Sequence, residues 1–417
     1  MARMRYASPL TANTRCLPEK YARILEKELQ DDQAMIYLDN AATSWPKPES
    51  VYQAMDSLMR HTGASPGRSG HLLSVTAARI IYETREALCQ FLGIADPSHV
   101  VFTSNATEAL NLAIRGLLHI GDHAITSSLE HNSVMRPLRA LEKKGVEVSV
   151  VNCAADGSLD PGDIERAIRP YTKLVVLSHA SNVVGTILPV AEVGRIAREH
   201  SIPLLVDAAQ SAGCYPIDVE AMNIDLLAFS GHKSLFGPQG TGALYMRPGT
   251  ESQLEPLKYG GTGSYSEYEH QPDFLPDKYE SGTPNTVGLA GLGAGVRFVM
   301  QEGLSTIRQK EERLTRLLME GLAAIPGVDI HGKSHPGQRV AIVSFNISGL
   351  TPSEVALQLE EDFRIMCRPG LHCSPVAHKT LGTFPRGSVR LSPGHFNSGH
   401  DIERTVEAVS QIARKAR

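Results

Sequence analysis

The sequence lacks several features that mark large classes of protein. It has one tryptophan and 6% aromatic residues, and none of its apolar runs approaches the roughly 20 residues that span a bilayer. Acidic and basic residues nearly balance to a net charge of -4, so overall charge attracts neither nucleic acid nor an anionic membrane. The N-terminal segment is basic but has no apolar core, so we expect no secretory signal. We therefore expect a soluble, cytoplasmic protein that contacts neither membrane nor nucleic acid.

Cysteine is also scarce for a chain of this length. The six cysteines are Cys16, Cys89, Cys153, Cys214, Cys367 and Cys373. None forms a C-x-x-C pair and none has the spacing of a zinc ligand, so we expect neither a disulfide framework nor a metal site. Most of them should be small buried hydrophobic residues, and a reactive one needs its own argument.

The length of the chain predicts more than one domain. At 417 residues it is long for a single core, and its 42% hydrophobic and 21% charged residues are ordinary for a globular protein. Residues 1–35 are polar and predict an arm that packs on the body. Residues 36–284 predict a large domain, and residues 285–417 predict a smaller C-terminal domain.

Short β-rich runs alternate with helical patterns through the large domain. The runs are 100–103, 124–126, 146–151, 174–177, 204–206 and 226–229. Runs of this kind are typical of strands buried on both faces, so the alternation predicts an α/β fold with a largely parallel sheet. Five apolar residues with helical spacing predict a helix that begins near Thr107; they are Leu110, Ala113, Ile114, Leu117 and Leu118.

The smaller domain has a different pattern. We predict a strand at 340–347, a helix at 353–363, a strand at 365–367, a strand at 389–391 and a final amphipathic helix. This order of strands and helices predicts an α+β domain, with Cys373 in a loop between two of its strands.

Two of the apolar runs in the large domain end in residues that can do chemistry. Asp207 follows the run 204–206, and Lys233 follows the run 226–229. Pyridoxal 5'-phosphate (PLP) requires a carboxylate that keeps its pyridine nitrogen protonated and an amine that holds its aldehyde as a Schiff base. Taken alone, Asp207 can be an ordinary carboxylate at a strand end and Lys233 an ordinary solvated lysine. The combination of the two predicts a PLP site. The glycine-rich stretch 237–242 lacks the ending of a nucleotide-binding loop and predicts a tight hairpin.

A candidate phosphate cradle precedes the predicted helix. The main chain near Ala106 and the hydroxyl of Thr107 lie where the helix dipole favours an anion, although an ordinary helix cap explains the same residues. Ser230 and His232 can also donate hydrogen bonds to phosphate, and Gln210 can donate to the phenolic oxygen of the ring.

Three more side chains follow predicted strands or lie between them. His131 can stack on an aromatic cofactor and move protons, or it can cap a helix. Cys373 lies between glycine, histidine and proline, so we expect an exposed thiol that is either reactive or incidental. The guanidinium of Arg390 suits a substrate carboxylate, and a surface ion pair is the alternative.

Taken together, these motifs resemble the class V aminotransferase superfamily of fold-type I PLP enzymes, and within it the group II cysteine desulfurases and selenocysteine lyases. The resemblance runs from Ile36 to about Asn397. The matching blocks are 36–42, 107–111, 130–132, 181–185, 206–211, 230–233, 282–285 and 368–373. The resemblance implies a large domain with a mostly parallel seven-stranded sheet and a smaller α+β domain that carries the Cys373 loop.

The resemblance also implies a role for individual residues. The cofactor-binding residues would be Ala106, Thr107, His131, Asn182, Asp207, Gln210, Ser230, His232, Lys233, Gly282 and Thr283. Of these, Gly282 and Thr283 resemble a loop that reaches the phosphate of the neighbouring subunit, which implies a homodimer. Substrate would contact Asn182, Arg390 and also His71, which ends a stretch that approximates the family's Arg-Gly-x-His motif.

The implied reaction converts L-cysteine to L-alanine. Lys233 and His131 would take part in catalysis, and the substrate sulfur would pass to Cys373 as a persulfide for delivery to an acceptor protein. Aminotransfer, racemisation or selenocysteine-specific lysis are alternatives on the same fold, and a non-catalytic sulfur-trafficking partner is an alternative of another class. The stretch 374–387 differs from the better-known group II members at the place where an acceptor would dock.

Overall fold

The computed structural model describes residues 35–67 and 70–416. The strands within these ranges are β1 (Ile36–Tyr37), β2 (Val100–Thr103), β3 (His123–Ser127), β4 (Glu147–Val151), β5 (Thr172–Ser178), β6 (Leu204–Asp207), β7 (Leu226–Ser230), β8 (Gly242–Met246), β9 (Val328–His331), β10 (Val343–Ile347), β11 (Ile365–Met366), β12 (Arg368–Gly370) and β13 (Ser388–Leu391). The helices are α1 (Glu49–His61), α2 (Leu72–Leu92), α3 (Ala106–Leu117), α4 (Asn132–Glu142), α5 (Pro161–Arg166), α6 (Val190–Glu199), α7 (Thr286–Glu302), α8 (Leu304–Ala323), α9 (Pro352–Phe363), α10 (Pro375–Thr380) and α11 (Gly399–Lys415). None of these helices is long and apolar enough to cross a membrane.

A seven-stranded sheet forms the centre of the larger body. Its strand order is β2-β8-β7-β6-β5-β3-β4, and only β8 runs antiparallel to its neighbours among these strands. The prediction of an α/β fold with a mostly parallel seven-stranded sheet is therefore confirmed. The glycine-rich turn after Lys233 leads directly into β8, which returns antiparallel to β7.

Helices cover both faces of this sheet. Neighbouring residues on one strand point to opposite faces, so Ala124 packs towards α3 and α4 while Ile125 packs towards α2, α6 and α7. Complete burial of a side chain such as Ile125 contributes about 1.5–3 kcal/mol. Because both faces are buried, the strands are nearly continuous apolar runs, and their polar residues are found mainly at the strand ends.

The smaller body has its own antiparallel sheet of four strands, β12-β13-β10-β9, which packs against α8, α9 and α11. Helix α9 begins with a capping box between Thr351 and Glu354. Strand β1 pairs with β11, and Leu38 packs in this C-terminal core. Helix α7 packs on the large sheet through Leu289 and Leu292. These two elements thus cross the predicted division between 36–284 and 285–417.

The predicted N-terminal arm, residues 1–35, lies outside the described residues except for Met35, and Cys16 falls within it. Arg68 and Ser69 of the stretch before His71 also lie outside them.

Candidate active site

A cavity of about 280 Å³ opens where β5, β6 and β7 end. Its volume is close to the lower limit of about 300 Å³ that is typical of small-molecule sites. The residues that line it are Asn105, Ala106, Thr107, His131, Ser133, Ser178, Ala180, Asn182, Asp207, Ala209, Gln210, Ser230, His232 and Lys233. Nine of the residues predicted from the sequence therefore meet in one cavity, at the edge where the parallel strands end.

Asp207 is buried and Lys233 is half-buried in this cavity. Asp207 ends β6, and its Oδ1 accepts a hydrogen bond of 2.9 Å from the main-chain nitrogen of Ala209. Burial raises the pKa of Asp207, whereas the nearby ammonium of Lys233 lowers it. Burial lowers the pKa of Lys233 to about 8, against the opposing effect of Asp207. A lysine with this pKa is partly neutral near neutral pH, so its amine is available as a nucleophile or a base.

The start of α3 faces the same cavity. Asn105 caps the helix by accepting a hydrogen bond of 3.0 Å from the main-chain nitrogen of Glu108. The next main-chain nitrogen, that of Ala106, donates to Ser230 Oγ at 3.0 Å, and Thr107 Oγ1 shares a 2.7 Å hydrogen bond with Ser133 Oγ. The helix predicted near Thr107 is confirmed. Its N-terminus is both an ordinary helix cap and part of the cavity wall, so the interpretation as a cap and the interpretation as a phosphate cradle are compatible.

His131 also has two functions in the structure. Its Nδ1 accepts a hydrogen bond of 3.0 Å from the main-chain nitrogen of Ser133 and thereby caps α4. Burial, together with the nearby charge of Lys233, lowers the pKa of His131 to about 4. The ring is therefore neutral at physiological pH. Since Nδ1 is an acceptor, the proton lies on Nε2. The capping role fixes the ring and its tautomer at the cavity wall.

Hydrogen bonds with residues 41–47 hold His232 and Gln210 in place. The main-chain oxygen of His232 accepts hydrogen bonds from Thr43 Oγ1 at 3.0 Å and Lys47 Nζ at 2.8 Å. Gln210 Nε2 donates to the main-chain oxygen of Ala41 at 3.0 Å. The Nδ1 atom of His232 is buried without a hydrogen-bond partner among the described residues. An unsatisfied polar atom of this kind in a cavity wall is typical of a ligand site.

Cys373 lies in a loop that borders an adjoining groove of about 510 Å³, which it shares with Thr107 and His131. The thiol is exposed, while Cys89, Cys153 and Cys214 are buried and Cys367 is half-buried. The Nη2 atom of Arg368 lies 4.0 Å from Cys373 Sγ. The loop thus presents a reachable sulfur beside the cavity.

Arg390 is almost fully buried on β13, so the alternative of a surface ion pair does not describe it. Its Nη2 donates to Asp39 Oδ1 at 2.8 Å, and its Nη1 donates to the main-chain oxygen of Asn182 at 2.9 Å. Its Nε is buried without a partner among the described residues. The side chain of Asn182 contacts the Cys373 loop at two points, so Asn182 joins the arginine to this loop.

Five of the predicted residues do not line the cavity of their own chain. Cys373 borders the adjoining groove and Arg390 contacts Asn182, whereas the other three lie apart from the cavity. His71 is exposed and caps α2, where its Nδ1 accepts a hydrogen bond from the main-chain nitrogen of Ser74 at 3.2 Å. Gly282 and Thr283 are exposed and line a separate groove beside Glu108. The structure of one chain therefore does not bring these three to the cavity.

Two residues that support the site were not singled out from the sequence. Glu130 is fully buried, and it accepts hydrogen bonds from Ser127 Oγ at 2.6 Å and from Ser178 Oγ at 2.7 Å. Burial raises the pKa of Glu130 to about 7. In the sequence, the only indication of a role for Glu130 was its position directly before His131. Asp39, the partner of Arg390, carried a similar signal because it closely follows an apolar run.

The donor set fits a flat phosphorylated aldehyde such as PLP. The Nζ atom of Lys233 forms no hydrogen bond with a described residue, Asp207 supplies a buried anion, and the orphaned Nδ1 of His232 and the start of α3 supply donors for an anion. Within the described residues, no group of three or more histidine, cysteine or acidic side chains could hold a metal ion.

Comparison with known proteins gives one consistent family. The sequence profile described as aminotransferase class-V matches residues 36–405. A probable cysteine desulfurase of Methanothermobacter thermautotrophicus is 37% identical over 382 residues, which cover 91% of this chain and 94% of that protein. A probable cysteine desulfurase of Pyrococcus abyssi is 35% identical over 401 residues, which cover 94% and 98%. The apo structure of a cysteine desulfurase from Thermococcus onnurineus superposes with a TM-score of 0.86 at 35% identity, covering 96% of this chain and 98% of that one. The chain belongs to the class V aminotransferase family.

Proposed function

We propose that the protein is a PLP-dependent cysteine desulfurase that converts L-cysteine to L-alanine. One observation carries the proposal: buried Asp207 and half-buried Lys233 line one cavity beside the exposed thiol of Cys373. The relatives that match nearly the whole chain bear the name cysteine desulfurase. A non-catalytic trafficking protein would not need a buried carboxylate and a lysine in one cavity, since a carboxylate is costly to bury without a ligand.

The proposed cofactor site uses the lining of the cavity. Lys233 would hold the cofactor covalently, and Asp207 would pair with its ring nitrogen. The start of α3, with Ala106 and Thr107, would bind the phosphate together with Ser230 and His232. His131 and Gln210 would contact the ring. Bound PLP supplies an electron sink that stabilises negative charge at the α-carbon of an amino acid.

Lys233 is the proposed acid and base. Its pKa is lowered to about 8, close to the operating pH at which a general base is most effective. Once substrate has displaced it, Nζ can take the α-proton of the substrate and return it. Arg390 and Asn182 would orient the substrate carboxylate beside this proton.

Cys373 is the proposed sulfur carrier. As a thiolate, its Sγ attacks the substrate sulfur; the substrate C–S bond breaks and an S–S bond forms. The electron pair of the broken bond remains with the carbon, which takes up a proton. Cysteine and one enzyme thiol thus give alanine and one enzyme persulfide. Because the thiol is exposed, a second thiol or an acceptor protein can reach the outer sulfur.

We also propose a homodimer. Gly282 and Thr283 are exposed and lie outside the cavity of their own chain, which suits a contribution to the phosphate site of a second copy. Sedimentation velocity of the holoenzyme should then give twice the mass of one chain. A monomer with full activity would contradict this part of the proposal.

Alanine release tests the function. The wild-type holoenzyme, given L-cysteine and a reducing thiol, should release alanine and sulfide in equal amounts. Cys373→Ser should retain bound cofactor and lose most of both products. Normal alanine release by Cys373→Ser would overturn the role of this thiol. The same pair of proteins given selenocysteine would detect a lyase that does not need the thiol.

A further inference from the structure

The Cys373 loop is held on both sides of the cysteine by one side chain. Asn182 Nδ2 donates to the main-chain oxygen of His372 at 2.6 Å, and Ser374 Oγ donates to Asn182 Oδ1 at 2.7 Å. All three of these residues are buried, while Cys373 between them is exposed. Each polar atom of the Asn182 amide thus has a partner on the loop.

The backbone of this loop has an unusual conformation. His372 has a φ of 49° and Cys373 has a φ of 58°, both in the left-handed region that residues other than glycine rarely adopt. Two consecutive residues of this kind persist only where the surrounding structure holds them. The side chain of Asn182 and the hydroxyl of Ser374 supply such contacts directly on either side of the thiol.

A chain of hydrogen bonds supports the loop from below. His372 Nε2 lies 3.0 Å from the main-chain oxygen of Arg368, so this nitrogen carries the proton. Its Nδ1 is then free to accept from His378 Nε2 at 3.4 Å, and His378 Nδ1 accepts from Thr383 Oγ1 at 2.6 Å. Burial lowers the pKa of His372 to about 3 and that of His378 to about 4, so both imidazoles are neutral, and in this state every ring nitrogen has a partner. The two rings also stack, with centroids 5.5 Å apart.

We propose that Asn182 and Ser374 are positioning residues for Cys373, and that Asn182 couples the thiol loop to Arg390. The inference rests on the proposed desulfurase function. It follows from a shared contact: the main-chain oxygen of Asn182 accepts from Arg390 Nη1 at 2.9 Å, while its side chain holds the loop. A carboxylate that binds Arg390 changes the surroundings of the same residue that holds the thiol. Substrate binding and loop order are therefore linked, and by reciprocity each affects the other.

Hydrogen exchange of the holoenzyme tests this coupling. Two amides report on the loop: that of Ser374, which donates to the oxygen of Leu371 at 2.8 Å, and that of Asn132, which donates to the oxygen of Cys373 at 2.8 Å. In the wild type, saturating L-alanine should slow exchange of both. In Ser374→Ala their exchange should be roughly two- to tenfold faster, which corresponds to loss of one buried hydrogen bond, and L-alanine should no longer slow it.

A second buried serine provides the matched control. Ser388 lies on β13 in the same body, and its hydroxyl has no hydrogen-bond partner among the described residues. Ser388→Ala should therefore exchange like the wild type. If Ser374→Ala does not fold, Asn182→Ala provides the same test and removes both hydrogen bonds.

Steady-state kinetics separates positioning from a general loss of structure. Ser374→Ala should lower kcat for L-cysteine several-fold and raise KM, because a less ordered loop weakens substrate binding, while the amount of bound cofactor stays unchanged. Wild-type exchange rates and a wild-type response to L-alanine in Ser374→Ala would overturn the inference. Absence of alanine release by the wild-type enzyme would instead refute the proposed function, so the two failures are distinguishable.

Discussion

The main-chain oxygen of Cys373 accepts a hydrogen bond of 2.8 Å from the main-chain nitrogen of Asn132. Asn132 is the first residue of α4 and follows His131, whose ring lines the cavity. The loop of the smaller body is therefore tied to the helix start of the larger body at the point where the thiol must meet its substrate. This contact allows a precise substitution, because it uses the backbone rather than a side chain.

Asn132→Pro should slow persulfide formation while the protein still folds. Proline lacks the N–H that donates to Cys373, and the first position of a helix tolerates proline well. The preceding residue, His131, has an extended backbone with φ -70° and ψ 156°, which is compatible with a following proline. Loss of one hydrogen bond predicts a rate in single-turnover experiments that is about two- to tenfold lower.

Asn132→Ala is the matched control for this substitution. It removes the side chain and keeps the N–H, so its single-turnover rate should stay close to that of the wild type. If Asn132→Ala is as slow as Asn132→Pro, the side chain and not the hydrogen bond is responsible.

Lys233→Ala should abolish covalent attachment of the cofactor. Borohydride treatment of the wild-type holoenzyme should fix PLP to the peptide that contains Lys233, as detected by mass spectrometry. Lys47 is a demanding control because burial lowers its pKa to about 8 as well. Its Nζ, however, already donates to Ser44 Oγ and to the oxygen of His232, both at 2.8 Å. Lys47→Ala should therefore keep the label on Lys233, and a label found on Lys47 would contradict the assignment.

Asp207→Asn should retain the cofactor but lose turnover. The amide keeps the shape of the side chain and removes the buried charge proposed to face the ring nitrogen. Removal of one buried electrostatic contact at a reacting centre lowers kcat by about 100- to 1000-fold. Asp225→Asn changes a carboxylate at the start of β7, where it accepts from the nitrogen of Leu204 at 2.9 Å. Its kcat should stay near the wild-type value; an equal loss in both variants would argue against a specific role for Asp207.

Glu311 should make stability depend on pH. It lies fully buried on α8, and burial raises its pKa from 4.5 to about 8 against the opposing effects of Arg308 and Lys310. When a carboxyl has a higher pKa in the folded protein than in the unfolded protein, its contribution to the free energy of unfolding is fully present below the unfolded pKa. That contribution is lost as pH rises towards the folded value.

Glu311→Gln removes this titration without changing the shape of the side chain. Between about pH 6 and about pH 8, the free energy of unfolding of the wild type should fall by up to about 2 kcal/mol relative to Glu311→Gln. Urea denaturation at both pH values measures the difference. Groups common to both proteins cancel in the comparison, so parallel pH profiles would show that Glu311 does not titrate in this range.

The sheet could be predicted from the sequence because its strands are buried on both faces. Six apolar runs became β2 to β7, with ends that differ by no more than a few residues. Strand β8 was not predicted, since Gly242–Met246 is short and follows a glycine-rich turn that masks it. Strand β1 has two residues, and only its pairing with β11 defines it. Strands β9 and β12 of the smaller sheet were not predicted either. Pairing with residues far apart in the chain defines both β8 and β1.

The site residues also fall into those that local sequence patterns predict and those that depend on contacts between distant parts of the chain. Asp207, Ser230, His232 and Lys233 were identifiable because each follows an apolar run at the edge where parallel strands end. The contacts of Asn182 could not be predicted, because its partners on the Cys373 loop lie 190 and 192 residues away. The burial of Arg390 against Asp39 joins residues 351 positions apart. Local patterns indicate which residues can react, whereas the packing of the two bodies determines which of them meet.

The persulfide on Cys373 is the most direct test of the proposed chemistry. Holoenzyme treated with one equivalent of L-cysteine, without a reducing thiol, should carry one additional sulfur atom on the peptide that contains Cys373, together with an equal amount of alanine. Subsequent reduction should release that sulfur as sulfide. Alanine formed with an unmodified Cys373 peptide, or with the extra sulfur on another cysteine, would contradict the assignment of Cys373 as the sulfur carrier.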